Sequence, residues 1–197
     1  MRIITGKYRS RILKSLKGLA LRPTSDRLRE TLFNVLGPAV AGSCFLDLFA
    51  GTGAVGIEAL SRGAAEVVFI ENHAPAAKLI RQNLDSLKIN AGYTILAADA
   101  LSALQKLAAR HTPSTPPFDF VFVDPPYAAH ADYARVLEYL SSASANFLAP
   151  NALIIFEHHH KFHLPEHSGQ LRRTRLLKQG DASLSFFRSD PLGERSG

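Results

Sequence analysis

The 197-residue chain contains one cysteine, one methionine and no tryptophan, and its longest apolar runs, such as 152–156, span only a few residues. The lone Cys44 excludes an internal disulfide framework and a cysteine-rich zinc site, which fits a reducing compartment. The apolar runs fall far short of the roughly 18 residues a membrane-spanning helix needs. No apolar stretch follows the first charges as it does in a secretion signal. A cytoplasmic protein with no membrane partner is therefore expected. Proline and glycine are modest, at 11 and 13 residues, and the mean hydropathy is near zero, which argues against collagen-like or disordered chains. With 46% hydrophobic residues, this length suits one domain with an appendage.

Acidic residues are scarce at the start of the chain. Residues 1–35 hold nine Lys/Arg against two acids, a net of +7, whereas residues 36–197 hold 14 against 15, a net of −1. The whole excess of positive charge therefore lies in the first segment, where it attracts a polyanion, nucleic acid first. A solvated arm kept soluble by its charge is the alternative.

Residues 2–13 read as a short basic hairpin or extended arm with Gly6 supplying the turn. Leu28, Leu32, Val35 and Leu36 recur at helical spacing, with Pro23 and Thr24 or Ser25 as start signals and Gly37-Pro38 as the stop. Strands are predicted at 44–48, 67–71, 94–98, 120–124 and 153–157, with helices at 54–61, 75–89, 100–110 and 131–145. The strands are mostly continuous apolar runs, which predicts burial on both faces in a parallel sheet: a doubly wound α/β domain. Residues 171–178 and 183–187, joined by Gln179-Gly180-Asp181-Ala182, read as a C-terminal antiparallel hairpin. The proline-rich 111–117 is a loop, and residues 189–197 a frayed tail.

Gly51, Gly53 and Gly56 form G-x-G-x-x-G between the first strand and the next helix, and Glu71 follows Gly51 by twenty residues. This is the dinucleotide spacing, with an acid for ribose hydroxyls. Asp47 changes the balance. A pyrophosphate at that helix N-terminus would meet its carboxylate, whereas an ammonium and a sulfonium, as in S-adenosylmethionine, are stabilised there. Asp99 suits either the adenine amine or a helix cap, and Asn72 either the ribose or a cap. At the end of the fourth strand stands Asp124-Pro125-Pro126-Tyr127. Its prolines stiffen the backbone and present acceptors rigidly. The Asp124 carboxylate and the Pro125 carbonyl can each take one hydrogen of an exocyclic amine while Tyr127 stacks on the base.

Asp47 to Gly53 and Asp124 to Tyr127 resemble the donor and (D/N)-P-P-(F/Y) motifs of class I amino methyltransferases. Arg2-Ile3-Ile4-Thr5-Gly6-Lys7-Tyr8-Arg9, and the stretch Leu21 to Asn34, resemble more specifically the RsmD family of bacterial 16S rRNA guanine-N2 methyltransferases. The resemblance implies a Rossmann-like, seven-stranded sheet at 38–188, preceded by an RNA-binding extension at 1–37. It implies S-adenosylmethionine held by Asp47, Phe49, Ala50, Gly51, Gly53, Glu71, Asn72, Asp99 and Ala100, with no metal. It also implies an amine held by Asp124, Pro125, Pro126 and Tyr127. Arg2, Lys7, Arg9, Arg11, Arg22 and Arg27 are the expected contacts to 16S rRNA, in the 30S subunit or an assembly intermediate, by a monomer. Thr24, Asp26, Arg27 and Arg29 either line this basic entrance or pack the helix.

Three other readings compete. A DNA adenine-N6 or cytosine-N4 methyltransferase suits the same box, but only 70 residues separate Gly53 from Asp124, little room for a DNA-recognition insertion. A nicotinamide-linked oxidoreductase is disfavoured by Asp47, and a non-catalytic RNA-binding assembly protein by the intact acids. Five of the eight histidines fall between His158 and His167. Neighbours on a strand point oppositely and cannot all converge on a metal, so a strand end and exposed loop are expected. Arg172, Arg173, Arg175 and Lys178 form a second basic cluster, either touching RNA backbone or, through the alternation of Arg173 and Arg175, covering one solvated strand face.

Overall fold

A computed structural model describes residues 1–15 and 24–190. Lys17, Leu21, Arg22, Pro23 and nearly all of the expected tail lie outside the described residues. The chain divides into two compact units, Met1–Ala100 and Leu101–Gly197.

In the first unit the basic arm is a hairpin. Arg2 bridges Ile12 in antiparallel fashion, and Ile3 N donates to Arg11 O at 2.9 Å and Leu13 N to Met1 O at 3.1 Å. Ile3 and Leu13 are buried anchors, and Lys7 N donates to Ser61 O at 2.7 Å. Only glycine suits position 6: its φ is +88°, and a Cβ there would sit 1.9 Å from Ser61 O. Helix α1 (Asp26–Leu36) is capped by Ser25, whose side chain accepts from Leu28 N. Its apolar stripe buries Leu28, Leu32, Phe33 and Leu36, and Gly37 at φ 59° ends it. Strands β1 (Cys44–Leu48), β2 (Glu66–Ile70) and β3 (Tyr93–Leu96) pair in parallel in the order β3-β2-β1. Helices α2 (Ala54–Ser61) and α3 (Ala74–Ser86) alternate with them. Every residue of β1 is buried, as a strand covered on both faces requires.

The second unit contains α4 (Ala100–Arg110), whose first residue closes the first unit, then β4 (Phe118–Val123) and α5 (His130–Leu140). It continues with β5 (Leu148–His159), β6 (His167–Ser168), β7 (Leu171–Gln179) and β8 (Ala182–Ser189). The order is β4-β5-β8-β7-β6, with β4 and β5 parallel and the remaining pairs antiparallel. The expected loop at 111–117 and the hairpin turn at Gly180, with φ +60°, are both present.

Several expectations are corrected. Among the described residues eight strands are present rather than seven, because the two-residue β6 pairs with the start of β7. The fifth strand is far longer than 153–157: its early residues pair past a register shift between Phe118 and Phe120, and its end pairs His158 with Ser183 and His159 with Ala182. The helices at 75–89 and 131–145 stop early, at Ser86 and Leu140. His158 is not on an exposed loop. It is buried at 2% exposure, its Nε2 2.9 Å from Ser185 Oγ and its Nδ1 3.0 Å from His159 O. Burial holds its pKa below the usual histidine value, against opposing hydrogen bonds to the backbone of His159 and Phe162. Arg173 and Arg175 do not share a face, because a bulge falls between them.

Candidate active site

The first unit gathers the expected donor residues at the carboxyl ends of β1, β2 and β3. Asp47, on β1, is 2% exposed and its Oδ2 accepts from Gly56 N at 2.9 Å. Glu71, just past β2, accepts from Gly51 N at 2.7 Å through Oε2 and from His73 N at 2.8 Å through Oε1. Two carboxylates therefore fix the glycine loop, one at each end. Phe49, Gly51 and Gly53 adopt positive φ, and Gly53 is the left-handed N-cap of α2. Gly56 serves packing: a Cβ on it would lie 2.3 Å from the Phe69 ring, so only glycine lets α2 approach β2 this closely. Ala50 N donates to Ile70 O at 3.0 Å, closing the loop onto β2.

Burial pushes the Asp47 carboxyl up to about 7, with the Gly56 N–H pulling it down and the nearby Glu71 charge adding to the rise. A cation beside it would favour its ionised form. Asn72 and Asp99 are exposed, and Asp99 immediately precedes Ala100, the first residue of α4. The residue capping α3 is His73 rather than Asn72, and it makes no side-chain cap bond.

In the second unit, Asp124, Pro125, Pro126 and Tyr127 directly follow β4. Pro125 is buried, while Asp124 and Tyr127 are half-buried. Pro125 O lies 3.1 Å from the hydroxyl of Tyr133, which is also 3.1 Å from Glu157 O at the end of β5. The Tyr127 ring meets His159 edge-on at 5.5 Å between centroids. Tyr133 is 1% exposed, and burial, followed by the charges of Asp124, Tyr127 and Glu157, raises its pKa. It therefore stays a hydroxyl donor that steadies the proline box.

The basic residues divide into two groups. Arg2, Lys7, Arg9, Arg11 and Arg27 are exposed, although Arg2 also lies 4.0 Å from Asp26. Arg29 instead packs the helix: it is fully buried, donates to Arg2 O and to Asp26 at 2.9 Å, and lies 3.8 Å from Glu58. Glu58, equally buried, accepts from the amides of Ile4 at 2.8 Å and Thr5 at 3.0 Å and from Arg62 at 2.8 Å. Asn83 adds a second tether, with its Oδ1 accepting from Lys14 N at 2.8 Å and its Nδ2 donating to Thr52 O at 3.0 Å. Sequence reasoning missed Glu58, Asn83 and Tyr133. The first two carried a signal, a lone acid within the apolar run of α2 and a lone amide on the buried stripe of α3.

The family model described as conserved hypothetical protein 95 matches residues 1–188. Ribosomal RNA small subunit methyltransferase D of Haemophilus influenzae is 40% identical over 158 residues, covering 80% of this chain and 78% of that one. Among solved structures, the presumed methyltransferase yhhF from Escherichia coli superimposes with a TM-score of 0.80 at 34% identity, over 96% of this chain and 98% of that one. SMU.776, a presumed methyltransferase in complex with SAH, shares the fold with a TM-score of 0.64 at 15% identity, over 82% of this chain and 48% of that one. The α/β fold is thus that of the class I methyltransferases, and the chain belongs to the RsmD family, described as conserved hypothetical protein 95.

Proposed function

We propose that the protein transfers a methyl group from S-adenosylmethionine to the exocyclic N2 amine of a guanosine in small-subunit rRNA. The name of the Haemophilus influenzae relative supports an rRNA methyl transfer, and the SAH in SMU.776 supports the donor. The observation that carries the donor assignment is the Asp47 carboxyl on the Gly56 amide. The positive end of α2 is already satisfied by a protein acid, so a pyrophosphate gains little there. A sulfonium and an ammonium gain from Asp47 and Glu71 together.

Asp47, Phe49, Ala50, Gly51, Gly53, Glu71, Asn72, Asp99 and Ala100 would hold the donor, which when bound supplies a methyl on a positively charged sulfur. The Asp124 carboxylate and the Pro125 carbonyl each accept one hydrogen of the guanine amine, drawing the nitrogen lone pair out of conjugation with the ring. A carbonyl oxygen has two lone pairs, so Pro125 O serves both the Tyr133 hydroxyl and the amine. Tyr127 stacks on the base, which leaves its RNA stack to arrive there. The chemistry calls for positioning and a late proton loss rather than a strong base or a metal. Arg2, Lys7, Arg9, Arg11, Arg22 and Arg27 dock the RNA, as a 30S subunit or an assembly intermediate, on a monomer.

The test is transfer of labelled methyl to 30S particles, free 16S rRNA and unmodified duplex DNA, followed by nucleoside analysis. N2-methylguanosine is expected, and Asp124→Ala should lower its formation by about a hundredfold with donor binding intact. Label in DNA adenine or cytosine would replace this proposal with DNA amino methylation, and no transfer to any substrate would overturn it.

A further inference from the structure

On β7, Arg173 pairs with Phe187 and Arg175 with Phe186, which leaves Thr174 as the extra residue of a bulge. Adjacent partners on β8 face opposite sides of the sheet, so Arg175 faces the side on which Arg172 stands opposite Arg188. In an unbroken strand, Arg172 and Arg175 would face opposite sides. The bulge re-aims one side chain and thereby gathers three arginines on one face. His167 of β6 pairs with Arg172, so a row His167, Arg172, Arg188 crosses three strands with Arg175 beside it. All four are exposed.

Among the described residues, no ion pair joins Arg172, Arg175 or Arg188 to a carboxylate. Arg188 donates to Asn151 O at 2.6 Å. Arg173 is turned to the other face, where it donates to Leu164 O at 2.9 Å and Glu166 at 3.2 Å. Like charges set directly opposite destabilise a sheet, and this face adds a third arginine to such a pair. The arrangement becomes favourable when an anion spans the guanidinium groups, whose planar forks match phosphate oxygens. We propose that this hairpin face is a second docking surface for the phosphate backbone of RNA. The choice of RNA as the polyanion rests on the rRNA methyl-transfer reading.

The test compares Arg175→Gln with Lys178→Gln in binding to free 16S rRNA over a range of salt. Lys178 is an exposed cation on the same strand, but its partner Ser183 places it on the opposite face. Arg175→Gln should lower the slope of log affinity against log salt by about 0.7 to 0.9, and R172Q/R175Q by about twice that. Lys178→Gln should leave the slope unchanged, and donor binding should be unchanged in all three variants. Equal slopes for Arg175→Gln and Lys178→Gln, or no RNA binding by the wild type, would overturn the proposal. Loss of RNA affinity confined to the arginine variants, in a protein that transfers no methyl, would uphold the surface and overturn the methyl-transfer reading.

Discussion

A carboxyl raised to about 7 makes Asp47 the residue whose protonation links stability to ligand binding. Its value in the folded chain lies above the usual 3.8, so between about 4 and about 7 the folded state holds more protons than the unfolded one. Stability therefore declines as pH rises through that window, by at most about 4 kcal/mol. Asp47→Asn keeps an acceptor for Gly56 N and removes the titration. The variant should match the wild type in urea denaturation at pH 4 and exceed it at pH 8. Calorimetry should show S-adenosylmethionine binding the wild type more tightly as pH rises through 7, with a proton released, and binding the variant weakly at every pH. A stability difference that does not change with pH would rule out Asp47 as the titrating group.

At the scale of elements, the arm hairpin, α1 and α2 are joined by the buried Arg29 and Glu58. Removing one partner of a buried ion pair strands the other, at a cost of about 3 kcal/mol or more. Glu58→Gln should lose about that much in chemical denaturation. Hydrogen exchange should rise first at the Ile4 and Thr5 amides, which Glu58 accepts. Unchanged protection at those amides would show that Glu58 does not hold the arm. The strand cores and α2 were legible because each is announced locally, by an apolar run or by glycines at a strand end. The Arg29–Glu58 junction was not, because a charge in a helix reads as solvent-facing until a distant segment covers it. The bulge at Thr174 was hidden for a related reason: alternation along one strand does not reveal how many residues its partner supplies. The strand-end places of Asp47 and Glu71 in the first unit and of the proline box in the second could be read from position alone, whereas Tyr133 reaches Pro125 through a fold-back from α5 that no local pattern marks.

For the whole molecule, the uneven distribution of charge matters more than the net +6. A field concentrated in residues 1–35 steers a polyanion toward one segment and is screened by salt. Charge reversal at the exposed Arg9 and Arg11 should weaken binding to 30S particles most at low salt and leave donor binding intact. Identical binding across the salt range would show that these residues do not dock RNA. The side chain of Asn83 reaches two segments at once. It joins Lys14 of the arm to Thr52 of the glycine loop, so the arm is not a module that can be trimmed away or exchanged for another. Excising residues 1–15 would remove the Lys14 partner of Asn83, the Ile4 and Thr5 partners of Glu58 and the Arg2 carbonyl to which Arg29 donates. Remodelling the arm therefore requires a matching change at Asn83 and at the glycine loop it touches.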